Sequence, residues 1–254
     1  MTETERAELV HYNVVDGLAT ITLDSPHNRN ALSRQLVTEL SDRLTRAEAD
    51  QQVVVVLVQA AGHVFCSGAD LSEASAAGME EGTRRIVALQ RQIVTLDKPV
   101  VARVHGAVRA GGIGIVAAAD IALCAADATF ALTEVKLGLA AAIISLTVHH
   151  RMTSRAAALT TLGGEVFSGA DAAAYGLVTT AVPAGDLDAE VARVCASLAT
   201  GAPQGLRESK RLLNRDLVTR IDERGEELAG LSTRLFASEA AREAMAAFLS
   251  RKQG

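Results

Sequence analysis

Two small-residue loops stand out for what their backbone could do. In GHVFCSGADL (residues 62–71) and GAVRAGG (106–112), glycine, alanine and serine let main-chain N–H groups approach a ligand closely. Two such donors converging on one carbonyl oxygen stabilise the charge that oxygen gains when an enolate forms beside it, and no metal is needed. A donor near a helix start would add the favourable end of the helix dipole. Taken separately, each loop reads equally as a tight turn after a strand. The tetrapeptide SGAD recurs at 168–171, where it leads into AAAY and reads as a helix start capped by Ser168. At 67–70 it follows an apolar strand instead.

The elements that must position these loops alternate in type. Residues 9–15 and 18–23 are strand-like and joined by Asp16-Gly17, a pair suited to a tight hairpin. Leu36, Val37, Leu40 and Leu44 lie at helical spacing in 33–49, with Ser33 as N-cap. The apolar run 53–58 is a strand covered on both faces. A helix over 82–96, a strand over 100–104, the glycine-rich turn, a small-residue helix ending near Asp120 and a strand over 121–124 repeat the α/β pattern. Beyond Val182-Pro183 the spacing predicts helices over 187–198, 203–217, 223–236 and 239–249.

Bulk properties narrow the functional classes. The 254 residues, 49% hydrophobic, suffice for a substantial core. A net charge of −5 without long Lys/Arg runs argues against a nucleic-acid or acidic-membrane surface. Cys66, Cys124 and Cys195 are odd in number and widely spaced, so neither a disulfide framework nor a metal site is expected, and a reducing, cytoplasmic setting fits. The N-terminus lacks the apolar stretch of a secretory signal, and no apolar run reaches the roughly 18 residues of a membrane span.

The succession of hairpin, Ser25-Pro26 with Asn30-Ala31-Leu32, FCSGADL, KPVVARVHG, AGGIG, AAAD and TFALTEVKLGL resembles the crotonase (enoyl-CoA hydratase/isomerase) family over residues 9–182. The resemblance implies an α/β fold: a crotonase-like spiral of ββα turns over residues 1–190 with a C-terminal helical lobe, 191–254, that closes the pocket and takes part in oligomerisation. It implies an acyl-CoA thioester as substrate, no separate cofactor because coenzyme A arrives as part of that substrate, no metal, and a homotrimer or hexamer. Ala69 and Gly111 would supply the oxyanion N–H groups. Ser67, Gly68, Asp70 and Leu71, with Gly112, would border the bound coenzyme A, and His27 or Arg29 would approach its phosphates. Phe236, Arg251 and Lys252 lie where the lobe would meet the acyl pocket, although Arg242-Glu243-Ala244-Met245 stands where Glu-Gly-Met is common in the family.

The chain also departs from the family pattern. Hydration of an enoyl thioester suits two carboxylates. The second family position is Glu134, whose apolar neighbours favour a raised pKa. The first is Gly114. Glu134 with Gly114 fits a 3-enoyl to 2-enoyl isomerase as well as a hydratase, and TEVKLGL has some likeness to bacterial methylglutaconyl-CoA hydratase-type members. A non-catalytic acyl-CoA-binding protein is the third reading. Among other polar residues, Arg109 would bind a substrate carboxylate or pair at the surface. Glu73, Glu80, Glu81, His149, His150 and Arg151 read as solvated, and Asp120 as a partner for buried backbone donors.

Overall fold

Asp16 (φ 49°) and Gly17 (φ 81°) turn strand β1 (Val10–Val15) back onto antiparallel β2 (Leu18–Leu23), as the Asp-Gly pair requires. The computed structural model describes residues 7–73 and 76–251. Helix α1 (Arg34–Ala49) starts where the Ser33 hydroxyl accepts the Leu36 N–H at 3.3 Å, and it buries Leu36, Val37, Leu40 and Leu44. The apolar strand begins two residues later than its sequence suggests, as β3 (Val55–Ala60), because the Val53 N–H closes a turn onto the Asp50 carbonyl (3.1 Å).

From there each turn of chain contributes one strand to each of two sheets. Strand β3 is followed by β4 (Val64–Cys66) and helix α2 (Ala76–Thr95). Next come β5 (Val100–Val104), β6 (Ala107–Arg109) and helix α3 (Gly111–Ala118), then β7 (Ile121–Ala125) and β8 (Thr129–Ala131). Helices α4 (Ser145–Arg151) and α5 (Ser154–Gly163), strand β9 (Phe167–Ser168), helix α6 (Gly169–Ala174) and strand β10 (Thr180–Val182) complete this part. One sheet has the order β1-β2-β3-β5-β7-β10, parallel from β2 onward; the other runs β4-β6-β8-β9. The α/β spiral of ββα turns expected from the sequence is therefore the observed fold. Its glycine-rich segment is not one turn, since it splits into β6 and the start of α3. Every residue of α3 is buried, which only its small and aliphatic side chains permit.

The chain ends in helices α7 (Leu187–Ala199), α8 (Pro203–Phe236) and α9 (Glu239–Arg251). The two helices expected at 203–217 and 223–236 are one. Nothing between them breaks a helix, and Leu217, Ile221, Gly225 and Leu228 continue a single buried stripe at helical spacing. Helix α8 lies along α2, and a Cβ on Gly225 would come within 2.9 Å of Val87. At Ser168 the hydroxyl and Asp171 form a reciprocal capping box, the helix start that the second SGAD predicts.

A buried polar cluster ties α8 to the spiral. Lys210, 5% exposed, reaches Asp120 Oδ2 at 2.7 Å and the carbonyls of Ile93 and Lys98 at 2.9 and 3.0 Å. Asp120 also accepts the Val100 N–H at 2.8 Å and the Asn214 amide at 2.9 Å, so it serves buried donors as expected. Burial alone would depress the Lys210 pKa strongly, and Asp120 opposes that shift. Replacing Asp120 by Ala strands the ammonium. We expect a loss of about 3–5 kcal/mol, the usual cost of breaking a buried pair, read from chemical denaturation of the two proteins.

Candidate active site

Loop 67–70 and the corner between β6 and α3 meet at van der Waals distance. Gly68 has φ +94°, and a Cβ there would lie 3.0 Å from the Ala110 methyl and 3.3 Å from the Arg109 carbonyl oxygen, so only glycine fits. Ala110, the residue before α3, adopts φ 45° and ψ −119°, a strained conformation for a residue with a Cβ. The strain turns the chain so that Gly111 opens the helix with its N–H outside the helical ladder. On the facing loop, the Leu32 N–H donates to the Gly68 carbonyl at 2.8 Å in a parallel bridge centred on Ala69. Alternation along an extended backbone turns the Ala69 N–H the other way. Among the described residues, neither the Ala69 nor the Gly111 N–H meets a backbone acceptor.

These loops border a cleft of about 560 Å³ whose wall includes His27, Asn28, Arg29, Ser67, Ala69, Asp70, Arg109, Ala110, Glu134 and Phe236. Glu134 lies in a short 3-10 turn, Thr133–Leu137, directly after β8. The turn is closed by Gly138 at φ 68°, where a Cβ would lie 3.1 Å from the Ala240 carbonyl oxygen of α9. Glu134 Oε2 is shut off from solvent and has no hydrogen-bond partner. Desolvation raises its pKa to about 7, against a weaker opposing bond from its own backbone N–H. An unpaired carboxyl poised near neutrality on a cleft wall is suited to both accepting and delivering a proton.

The other sequence candidates sort by position. Ser67 donates its hydroxyl to the Asn28 carbonyl at 2.9 Å. Asp70 accepts from Asn28 Nδ2 (2.9 Å), the Ser72 N–H (3.0 Å) and the Ser72 hydroxyl (2.6 Å). Burial opposes its charge, yet these bonds outweigh it and hold the Asp70 carboxyl below the usual range, so it organises the loop as an anion. Leu71 opens the 3-10 turn Leu71–Glu73, and its side chain lies outside the described atoms. Gly111 and Gly112 are buried; a Cβ on Gly112 would lie 2.6 Å from that of Cys66, so this glycine serves close packing beneath the cleft. Glu73 accepts the Arg34 N–H, while Glu80 and Glu81 pair with Arg84 and Arg34, away from the cleft. His149 and His150 are exposed, whereas Arg151, read as solvated, donates to the Ala117 and Ala119 carbonyls at the end of α3. The Arg251 side chain and Lys252 lie outside the described residues.

Gly114 is enclosed. A Cβ there would stand 2.7 Å from Ile144 Cγ2 and 3.2 Å from Gln90 Oε1, and Gln90 is engaged by the Thr147 hydroxyl at 2.8 Å. The place from which a first carboxylate would project is thus filled by packing. Sequence reasoning missed Asn28, whose amide and carbonyl tie the turn at 26–28 to loop 67–70, and the strain at Ala110. A left-handed turn carrying Arg29 (φ 58°) and Asn30 (φ 56°) could be suspected from the Asn-rich HNRN run; an alanine at positive φ leaves no such signal.

A family model described as Enoyl-CoA hydratase/isomerase matches residues 13–254. The crystal structure of an enoyl-CoA hydratase from Mycobacterium avium is similar with a TM-score of 0.91 at 43% identity, covering 97% of this chain and 98% of that one. The hydroxycinnamoyl-CoA hydratase-lyase of Pseudomonas fluorescens is 32% identical over 215 residues, 81% of this chain and 78% of its own. The peroxisomal Delta(3,5)-Delta(2,4)-dienoyl-CoA isomerase of Arabidopsis thaliana is 27% identical over 263 residues, 97% and 95% of the two chains.

A raised carboxyl pKa has a signed consequence for stability. Between the ordinary value of 4.5 and about 7, the folded chain keeps a proton on Glu134 that the unfolded chain has released. Folding stability contributed by this group therefore falls as pH rises through that window and is constant above it. In denaturation at a series of pH values, Glu134→Gln should gain on the parent protein from pH 4.5 to 7 and hold that gain at pH 8. A difference independent of pH contradicts the raised pKa.

Proposed function

Because the chain belongs to the enoyl-CoA hydratase/isomerase family, we propose that it is an enoyl-CoA hydratase-type enzyme with Glu134 as its single acid-base group. The observation that carries this reading is the buried, unpartnered Glu134 Oε2 on the same cleft wall as Ala69 and Ala110. In the proposed reaction the Ala69 and Gly111 N–H groups hold the thioester oxygen. Glu134, ionised, takes a proton from water as the water oxygen bonds to the β-carbon, and the π electrons move onto the thioester as an enolate. The same carboxyl then returns that proton to the α-carbon. No redox change occurs, so coenzyme A within the substrate is the only cofactor the step calls for. His27 and Arg29 line the same wall as Asp70, which supports their approach to the coenzyme A phosphates. Phe236 of α8 supports pocket closure by the C-terminal helices.

A second reading is 3-enoyl to 2-enoyl-CoA isomerisation, in which Glu134 removes a proton at one carbon and returns it at another. The enclosed Gly114 favours it, since no second carboxylate can project from that position. In either case a trimeric or hexameric assembly is supported by the exposed apolar Leu159, Leu162 and Val166. A reducing, cytoplasmic setting is supported by three buried free cysteines. Among the described residues no helix is long and apolar enough to cross a membrane.

Turnover of 2-enoyl- and 3-enoyl-CoA thioesters by the purified protein tests these readings. Hydration should show kcat/KM rising with pH through an apparent pKa near 7, because the free enzyme must hold Glu134 ionised. Glu134→Gln should lose about 10²- to 10⁴-fold in kcat while keeping acyl-CoA affinity. Conversion of 3-enoyl substrates without hydration of any 2-enoyl thioester would replace the first reading by the second. If there is no turnover, and no solvent deuterium enters the α-carbon of a saturated acyl-CoA, the protein is a passive binder.

A further inference from the structure

Arg109 is a cation on the cleft wall that has no carboxylate of its own. It lies on β6 two residues before Gly111 and is half-buried. Its Nη1 donates to the Val108 carbonyl at 2.9 Å and the Thr129 carbonyl at 2.7 Å, and its Nη2 donates to the Thr129 hydroxyl at 3.1 Å. A guanidinium has five N–H donors in a rigid fork. These bonds take both Nη1 hydrogens and one of Nη2. The Nε–H and the second Nη2 hydrogen share the remaining side-on edge, and among the described residues neither meets an acceptor. Arg43, Arg84, Arg91 and Arg103, by contrast, each pair with an Asp or Glu. At Arg109 burial lowers the pKa with no neighbouring acid to oppose it.

Three neutral acceptors on one side therefore lock the fork in place while its open edge keeps the geometry that takes two oxygens of one anion. A positive charge in a concave, partly desolvated wall attracts such an anion more strongly than one on open surface. We propose that Arg109 recognises an oxyanion carried by the acyl-CoA substrate, gripped side-on through Nε–H and Nη2–H. The inference rests on the acyl-CoA reading above and deepens it. Such a substrate offers two oxyanions of suitable shape, a carboxylate on the acyl group and the phosphates of coenzyme A, and they are separable by experiment.

Calorimetric binding of glutaryl-CoA, butyryl-CoA and free coenzyme A to the parent protein, Arg109→Gln and Arg109→Lys makes the test, with a thermal unfolding scan of each variant as the control for folding. Losing charge-assisted hydrogen bonds should weaken affinity by roughly 10- to 100-fold for Arg109→Gln. Arg109→Lys, which keeps the charge but not the fork, should recover only part of it. A loss confined to glutaryl-CoA assigns the acyl carboxylate, and an equal loss for all three ligands assigns the phosphates. Unchanged affinity of folded Arg109→Gln for every ligand overturns the proposal and leaves the acyl-CoA reading standing. Should that variant not fold, unchanged affinity of Arg109→Lys overturns it in the same way. A parent protein that binds none of the three overturns the acyl-CoA reading itself.

Discussion

Two stretches of backbone can aim N–H groups at one point only if almost nothing stands between them. Here the contact is a glycine Cα against an alanine methyl, with Gly68 in a conformation closed to other residues and Ala110 held in a strained one. The two sheets exist, in effect, to deliver these loops to that contact. Strand β4 carries the first loop and the paired strand β6 the second, so their registers decide how the loops face. Gly112 continues the same constraint inward, since its hydrogen lies where any Cβ would strike Cys66. The strain at Ala110, of order 1–3 kcal/mol in such cases, is retained because the surrounding packing leaves the chain no other path.

The acid-base half of the site obeys an opposite logic. In the proposed reaction the backbone donors would act as fixed dipoles, whereas Glu134 would act because its surroundings fail to satisfy it. Its Oε2 is shut off from solvent and no protein group hydrogen-bonds to it, and that desolvation raises its pKa to about 7, where protonated and ionised forms are balanced near neutrality. The turn that carries it is braced by α9 at Gly138, and Phe236 of α8 lines the cleft beside it. Gly114 is buried, with Ile144 taking the space a side chain there would need. In the proposed reaction the site would rely on one carboxyl, and Arg109 adds to the same cleft wall a positive charge with no neighbouring acid.

Several elements were legible because their signals are local. Asp16-Gly17 demands a tight hairpin, Ser33 precedes a periodic apolar stripe, and the second SGAD is a capping box whose partners lie three residues apart. Other boundaries moved when distant contacts outweighed local pattern. Helix α8 runs through 218–222 because its buried stripe continues against α2, and α2 begins six residues before the expected start. The split of the glycine-rich segment into β6 and α3 follows from pairing with β4 and β8, which no local pattern could announce.

Residue type and spacing in the sequence determined the α/β alternation and the two loops able to supply backbone donors, and its family resemblance pointed to the spiral and to Glu134 as the carboxyl to watch. Only the tertiary structure decided what surrounds them. The isolation of Glu134 Oε2, the filling of the Gly114 position by Ile144, the Asn28 bridge to loop 67–70 and the open edge of Arg109 all arise between residues far apart in the chain. Desolvation and steric exclusion are properties of a neighbourhood, and a neighbourhood is assembled only when the chain folds.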